Sequence, residues 1–320
     1  MVKLKKIVPT IMIGAIFLCS LNIQSFAATN HCPNETGYMP EPHYAGYQTE
    51  DDKIAAEEKL AAFTRMNNIK RKLKKFDSKQ KATIEKNDIT SMKEELNEIL
   101  KDYGNGVTTD EFLAYDDSAN GKTQTSAATR GTIKTVTMTP EAQINYYYYG
   151  PASEAMVLKG KGISTSQSIL AGSNYMDTDS SKQTYLYKVP YALNKYKGTN
   201  GLKFNYSYIM SSSSETATDW AIRMTDAAIG CLNTNYGTIY DTYSTKSTKL
   251  EGYETVPANG LYHYVAGYGY DDRDDSNRYC YYIDPNPNGK GSYSHTNSYG
   301  RHTIAFRTMG ALTKPLGLVF

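Results

Sequence analysis

The chain has 320 residues, enough for one sizeable domain and an accessory segment. Hydrophobic residues make up 40% and charged residues 21%, which is typical of a folded protein rather than a disordered one. The formal net charge is only +2, so no basic excess indicates a nucleic-acid partner.

Residues 1–27 have the three parts of a secretory signal peptide. Three lysines precede an apolar run, residues 7–21, and residues 25–27 (SFA) form a small-x-small cleavage site. The apolar run is interrupted by Pro9 and is short for a membrane span. Removing this leader takes away three lysines and no acid, which changes the formal charge from +2 to −1. We therefore expect a secreted or cell-surface protein that is not integral to the membrane.

Cysteine usage leaves the redox state open. Cys32, Cys231 and Cys280 follow the predicted cleavage site, and an odd number leaves at least one of them unpaired. The sequence does not indicate which two would pair. His31 stands beside Cys32 in the irregular segment 28–48, but no further ligands stand at metal spacing. We predict neither a metal ion nor another cofactor.

Residues 49–103 are predicted to form a helical hairpin. Thr49 caps the first helix and acids follow it, while Ser91 and Glu94 form a capping box for the second. Gly104 ends the second helix. The apolar side chains recur at steps of three and four and form narrow faces. The hairpin therefore needs another surface to pack on.

The first helix of the hairpin carries a basic run of five residues, namely Lys70, Arg71, Lys72, Lys74 and Lys75. A solvated helix face is the favoured interpretation, and contact with an anionic cell-wall polymer or lipid is the alternative. Residues 104–131 are predicted to be a linker, since their second half contains almost no large apolar side chains.

The remaining residues, 132–320, predict an α+β domain. Most of the helical patterns come first and most of the strand patterns follow, an order typical of helices packed on an antiparallel sheet. The predicted helices are 151–158, 166–171, 189–196 and 219–229. The predicted strands are 132–138, 203–209, 261–270, 278–284 and 302–309.

The stretch NYYYYGPASEAM, residues 145–156, places Tyr149 at a helix start. Unpaired N–H groups and the helix dipole favour an anion there, which is how a thiolate obtains its low pKa. Gln143 lies six residues upstream and can donate to a developing oxyanion. Further on, His263 and Asp284 stand on predicted strands, where a carboxylate can orient an imidazole. This order is that of a papain-like cysteine peptidase.

Residues 133 to about 310 resemble the bacteriocin-processing, papain-like (peptidase C39-like) cysteine peptidases and their secreted relatives. The quoted blocks are GPAS before a helix, ISTSQSILA, VPYALNKY, HYVAGYGYDD and YYIDPN. The resemblance implies a papain-like fold, with Gln143 at the oxyanion-hole position, His263 as general base and Asp284 as the orienting acid. Tyr149 falls where the family has its nucleophilic cysteine.

A phenol is a poor replacement for that thiol. With an unperturbed pKa near 10, only about one phenol in a thousand is ionised at neutral pH. The resemblance also implies a precedent, because some export transporters carry peptidase-like domains that have lost the cysteine and bind secretion substrates. We therefore favour an inactive domain that binds a peptide or an exported protein in its cleft. The alternatives are a hydrolase that uses Cys231 or Cys280 as nucleophile, and a cell-wall or surface-binding module.

The resemblance gives the hairpin 49–103 a further interpretation. Peptidases of this architecture are often preceded by a helical pro-segment that lies over the groove. The hairpin is therefore either such a pro-segment, or an accessory region that dimerises.

Overall fold

A computed structural model describes residues 47–79, 86–114, 132–179, 182–274, 276–287 and 298–320 of the chain. The predicted signal peptide 1–27, most of the segment 28–48 and most of the predicted linker 104–131 lie outside these residues, as does Cys32.

Both predicted helices of the hairpin are present. Helix α1 spans Glu50–Lys79 and α2 spans Lys86–Tyr103. Thr49 caps α1, because its Oγ1 accepts from the N–H of Asp52 at 3.0 Å while Asp52 accepts from the N–H of Thr49. Helix α2 begins ahead of the predicted capping box at Ser91, and Gly104 ends it by donating to the Leu100 carbonyl at 2.8 Å.

The hairpin packs on a later helix of the same chain, α7, which spans Ala217–Asn233. Phe63 of α1 is fully buried against Gly230, where an added Cβ would meet the Phe63 ring at 2.4 Å. Beside this contact, the Asn67 side chain donates to the Asp226 carbonyl at 3.0 Å. Helix α7 of the same chain therefore supplies the surface on which the narrow apolar faces of the hairpin pack.

Lys59 links α1 to the end of the chain. Its Nζ donates to the carbonyl oxygens of Asn205 at 2.6 Å and Phe320 at 2.8 Å, and lies 3.7 Å from the Phe204 ring centroid. Burial lowers the pKa of Lys59 to about 7. The two carbonyl oxygens and the aromatic face offset part of the cost of burying this group.

The basic run of α1 is not a uniformly solvated face. Lys70 is only 5% exposed and donates to Oδ1 of Asn233 at 3.2 Å. Arg71 forms an ion pair with Asp226 at 3.1 Å. The interpretation as a solvated face is therefore wrong for Lys70, because the end of α7 lies against it and Asn233 accepts a hydrogen bond from its ammonium group.

Part of the predicted linker is helical. Helix α3 spans Thr109–Ala114 and starts at a capping box, in which Thr108 and Glu111 each accept from the N–H of the other. Phe112 is buried, and its ring centroid lies 5.0 Å from Nζ of Lys70. Residues 109–114 thus belong to the folded helical region, anchored by Phe112 and by the partly buried Leu113.

The domain after the linker is α+β, as predicted, and has the helix-on-sheet arrangement of a papain-like fold. Its other helices are α4 (Tyr149–Lys159), α5 (Gln167–Ala171), α6 (Lys188–Asn194) and α8 (Phe306–Thr313). No helix in the described ranges is both long and apolar enough to cross a membrane.

Seven strands of the described residues form one antiparallel sheet, in the order β2-β7-β3-β4-β5-β6, with β1 paired to β4. They are β1 (Ile133–Thr135), β2 (Tyr208–Ile209), β3 (Thr238–Ser244), β4 (Leu261–Asp271), β5 (Tyr279–Asp284), β6 (Gly300–Ala305) and β7 (Gly317–Val319). Helix α4 packs on β4, the longest strand. The start of α4 and the adjacent strands β4 and β5 therefore meet in one region.

Some predicted strands differ from the observed ones. The segment 302–309 divides between β6 and α8, because Phe306, Met309 and Leu312 are buried at helical spacing. The segment 203–209 contributes only β2. Strands β3 and β7 were not predicted, and β3 lacks the usual alternation because it is buried almost throughout, including the carboxyl group of Asp241.

Candidate active site

Tyr149 is the first residue of α4, as the sequence predicts for the nucleophile position. Tyr148 precedes the helix without a side-chain cap, and Pro151 lies in the first turn, where its missing N–H leaves no hydrogen bond unmade. Residues 149–158 are all buried, so α4 is a core helix rather than an amphipathic surface helix. Its first residue faces the sheet.

The phenol of Tyr149 fills this position and is only 1% exposed. Its ring stacks on Tyr264, with centroids 5.6 Å apart, and meets the His263 ring edge-on at 5.7 Å. Its hydroxyl donates to Oε1 of Gln183 at 2.6 Å. The hydroxyl is therefore hydrogen-bonded to a carboxamide and not to the imidazole of His263. Burial, and next the nearby carboxyl of Asp241, raise the pKa of Tyr149 well above 10. The phenol therefore stays protonated at neutral pH.

His263 and Asp284 are brought together on β4 and β5. Nε2 of His263 lies 2.7 Å from Oδ1 of Asp284. Asp284 also accepts from the Tyr253 hydroxyl at 2.9 Å and from the N–H of Asn286 at 2.7 Å. An ionised Asp284 accepts in all three contacts, with Nε2 of His263 as one donor, which leaves Nδ1 as an acceptor. This is the pairing that the sequence predicts for an oriented general base.

Tyr253 and Asn286 are supporting residues that the sequence reasoning missed. The Asn286 contact is an Asx turn, which the sequence Asp284-Pro285-Asn286 could have indicated. Tyr253 gives no such signal, since it lies 31 residues before Asp284 in a segment without regular structure. Gln183, the acceptor of the Tyr149 hydroxyl, also has no local signal; its φ of 53° is one that non-glycine residues seldom adopt.

Gln143 lies beside the site but does not present a free donor. Its backbone N–H donates to the Pro285 carbonyl at 2.8 Å, which ties it to the turn after Asp284. Its side-chain Nε2 donates to the Asn145 carbonyl at 2.9 Å, and within the described residues its buried Oε1 has no hydrogen-bond partner. An oxyanion donor at this position would require the carboxamide to turn.

The four family positions are closed to solvent. The exposed fractions are 7% for Gln143, 1% for Tyr149, 2% for His263 and 0% for Asp284. Thr184 covers the start of α4 so closely that a Cβ on Gly150 would meet its Oγ1 at 2.4 Å. His263 and Asp284 form an imidazole–carboxylate pair, and the buried Tyr149 ring fills the space beside it.

The two described cysteines do not supply another nucleophile. Cys231 and Cys280 are free thiols that are fully buried, and burial raises the pKa of each to about 12. The Cys231 thiol donates to the Gly237 carbonyl at 3.5 Å. Both are packed as small core residues. A thiol that is protonated and enclosed in this way cannot attack a carbonyl group.

An apolar rim lies next to the closed site. We use this name for Ile144, Tyr146 and Ile169, whose side chains are 65%, 53% and 52% exposed. The two segments of the rim are joined where the Ile144 N–H donates to Oε1 of Gln167 at 3.0 Å. The rings of Tyr146 and Tyr147 pack edge-on at 4.9 Å. Exposed apolar residues on two hydrogen-bonded segments make this rim a candidate contact surface.

Glu154, one turn further along α4, is fully buried and lacks a hydrogen-bond partner within the described residues. Burial raises its pKa well above 4.5. Between pH 4.5 and the folded-state pKa, the unfolded chain has released a proton that the folded chain retains. The contribution of Glu154 to the free energy of unfolding is therefore fully present below pH 4.5 and is lost as the pH rises.

We expect Glu154→Met to stabilise the protein increasingly as the pH rises from 4.5. The free energy of unfolding, relative to wild type, should gain about 1.4 kcal/mol per pH unit until the folded-state pKa is reached. Urea unfolding at several pH values measures this difference. Glu98→Met, at an exposed glutamate of α2, is the control and should show no such slope. Parallel pH curves for wild type and Glu154→Met would contradict the prediction.

A family model described as "Peptidase_C39 like family" matches residues 135–312, which is more than half of the chain. A search of curated proteins finds no match. The matched range contains all four family positions and the three residues of the apolar rim.

Proposed function

The chain belongs to the Peptidase_C39 like family, and we propose that it is a catalytically inactive member that binds a peptide or an exported protein. The observation that carries the proposal is the Tyr149 side chain, a neutral buried phenol in the place of the nucleophile. The Tyr149 hydroxyl donates to Gln183 and not to His263, so the base that we propose for His263 and Asp284 is not placed to take its proton.

Binding is assigned to the apolar rim rather than to the catalytic positions. The four family positions have no accessible surface for a ligand, whereas Ile144, Tyr146 and Ile169 remain more than half exposed beside them. Aromatic and aliphatic side chains of this kind serve as anchors at protein interfaces. From the predicted leader 1–27 we infer that this binding takes place outside the cell, where the partner would be another exported protein or a peptide.

The proposal is tested with labelled casein and an array of overlapping casein peptides as probes. We expect wild type to leave labelled casein uncut and to retain peptides on the array. Ile144→Asp in the rim should weaken retention at least about fivefold, because a carboxylate replaces an apolar contact. Ile222→Asp is the matched control, since Ile222 is 51% exposed on α7, outside the rim.

Two results would refute parts of this proposal. Casein cleavage that disappears in His263→Ala would show that the site is active. Equal peptide retention by Ile144→Asp, Ile222→Asp and wild type would show that the rim does not bind peptides.

A further inference from the structure

A second concave site lies away from the four family positions. It is a pocket of about 510 Å³ between the start of α1, helix α6 and the segment that leads into β2. None of Gln143, Tyr149, His263 and Asp284 lines it. Its volume is within the range of small-molecule sites in proteins, roughly 300–1,000 Å³.

The charged groups of the pocket are already committed to protein partners. Asp52 accepts from both the N–H and the hydroxyl of Thr49, at 3.1 and 2.8 Å. Lys188 forms an ion pair with Asp177 at 3.2 Å. These two charges are of opposite sign and the other residues of the lining are uncharged, so the pocket suits a neutral ligand.

Tyrosine rings supply the apolar part of the lining. Tyr191 is 57% exposed, Tyr187 is half-buried, and Tyr175 and Tyr208 also border the pocket. Nζ of Lys195 lies 4.6 Å from the Tyr191 ring centroid, a cation–π contact that holds this exposed ring. Rings held in this way form a platform for a flat ligand that has C–H groups on its face.

The polar part of the lining can both donate and accept hydrogen bonds. The Asn194 side chain already makes two hydrogen bonds to the Tyr206 backbone, at 2.9 and 2.7 Å. A carboxamide has two N–H donors and two lone pairs, so Asn194 keeps one donor and one acceptor. The Tyr187 and Tyr191 hydroxyls can likewise do both. Such groups match ligand hydroxyls, which donate and accept together.

We propose that this pocket binds a neutral saccharide, with a sugar ring stacked on Tyr191 and its hydroxyls bonded to Asn194 and the tyrosine hydroxyls. A sugar ring has C–H groups on its face and hydroxyls at its edge, so it can contact both the tyrosine rings and the polar groups of the lining. The pocket suits an extended peptide less well, because β2, the strand that borders it, has only two residues with which a peptide strand could pair.

The test is a calorimetric titration of the purified protein with chitotriose, cellotriose and maltotriose. We expect at least one of them to bind with a Kd of about 1 mM or below. Tyr191→Ala should weaken that binding at least about tenfold, since it removes the platform. Tyr279→Ala is the control: Tyr279 is 40% exposed on β5, outside the pocket, and its loss should leave affinity unchanged.

Three results would overturn the assignment. The first is the absence of binding by all three sugars. The second is an equal effect of Tyr191→Ala and Tyr279→Ala. The third is binding of tetra-alanine that depends on Tyr191, which would assign the pocket to a peptide.

Discussion

The Tyr149→Cys variant is expected to react with iodoacetamide at residue 149 and to hydrolyse casein, which we expect wild type to leave intact. The new thiol would lie at the N-terminus of α4, where the helix dipole lowers a thiol pKa, and beside an imidazole that Asp284 already orients. Removing the ring also opens space next to His263. General base catalysis contributes about 10²–10⁴-fold, so even a partly aligned site should exceed the wild-type rate clearly.

Two controls separate this outcome from unspecific effects. Tyr149→Ser opens the same space without a thiol and should stay inactive, while Tyr149→Cys combined with His263→Ala should lose the gained activity. Gln143 must turn its amide away from the Asn145 carbonyl to assist, so the gain will be limited. A thiol at residue 149 that labels no faster when His263 is present would show that the base is not aligned with this position.

The Phe63→Ala variant is expected to lower the free energy of unfolding by about 3–5 kcal/mol, as measured by urea denaturation. Phe63 is fully buried, and its ring packs on Gly230 and edge-on against Phe320 at 5.8 Å. A loss of this size would show that α1 belongs to the cooperatively folded core of the intact chain.

Gly230→Ala provides a second, coupled measurement. Alone, it should destabilise by about 1–3 kcal/mol, because the added Cβ would lie 2.4 Å from the Phe63 ring. In the Phe63→Ala background the clash is reduced but not removed, because the Cβ that alanine keeps at residue 63 lies 2.5 Å from the added Cβ. The cost of Gly230→Ala should therefore be smaller in this background than in wild type. Ile54→Ala, at a half-exposed position of α1, is the control for helix effects. A cost below about 1 kcal/mol for Phe63→Ala would show that α1 unfolds separately.

The positions of the site could be predicted because each follows from a local pattern. Pro151 indicates a helix start at Tyr149, and aromatic-rich strands carry His263 and Asp284. The α+β class follows from the order of helical and strand patterns in the same way. These features need only a few neighbouring residues to be recognised.

The contacts that close the site could not be predicted, because they depend on residues far apart in the chain. Gln183 lies 34 residues after Tyr149, and Tyr264 reaches the same ring from β4. Strand β3 was missed because burial on both faces removes the alternation that indicates a strand. The packing of α1 on α7 depends on the absence of a side chain at Gly230, which has no periodic signal.

The close packing of the Tyr149 ring has an evolutionary consequence. Exchanging this ring for a smaller side chain leaves a cavity between Tyr264, His263 and Gln183, at a cost of a few kcal/mol, a large part of a typical folding free energy. A change of this residue to cysteine would therefore lower the stability of the protein before any benefit of catalysis could be selected. The stability that the aromatic ring provides thus favours its retention at residue 149.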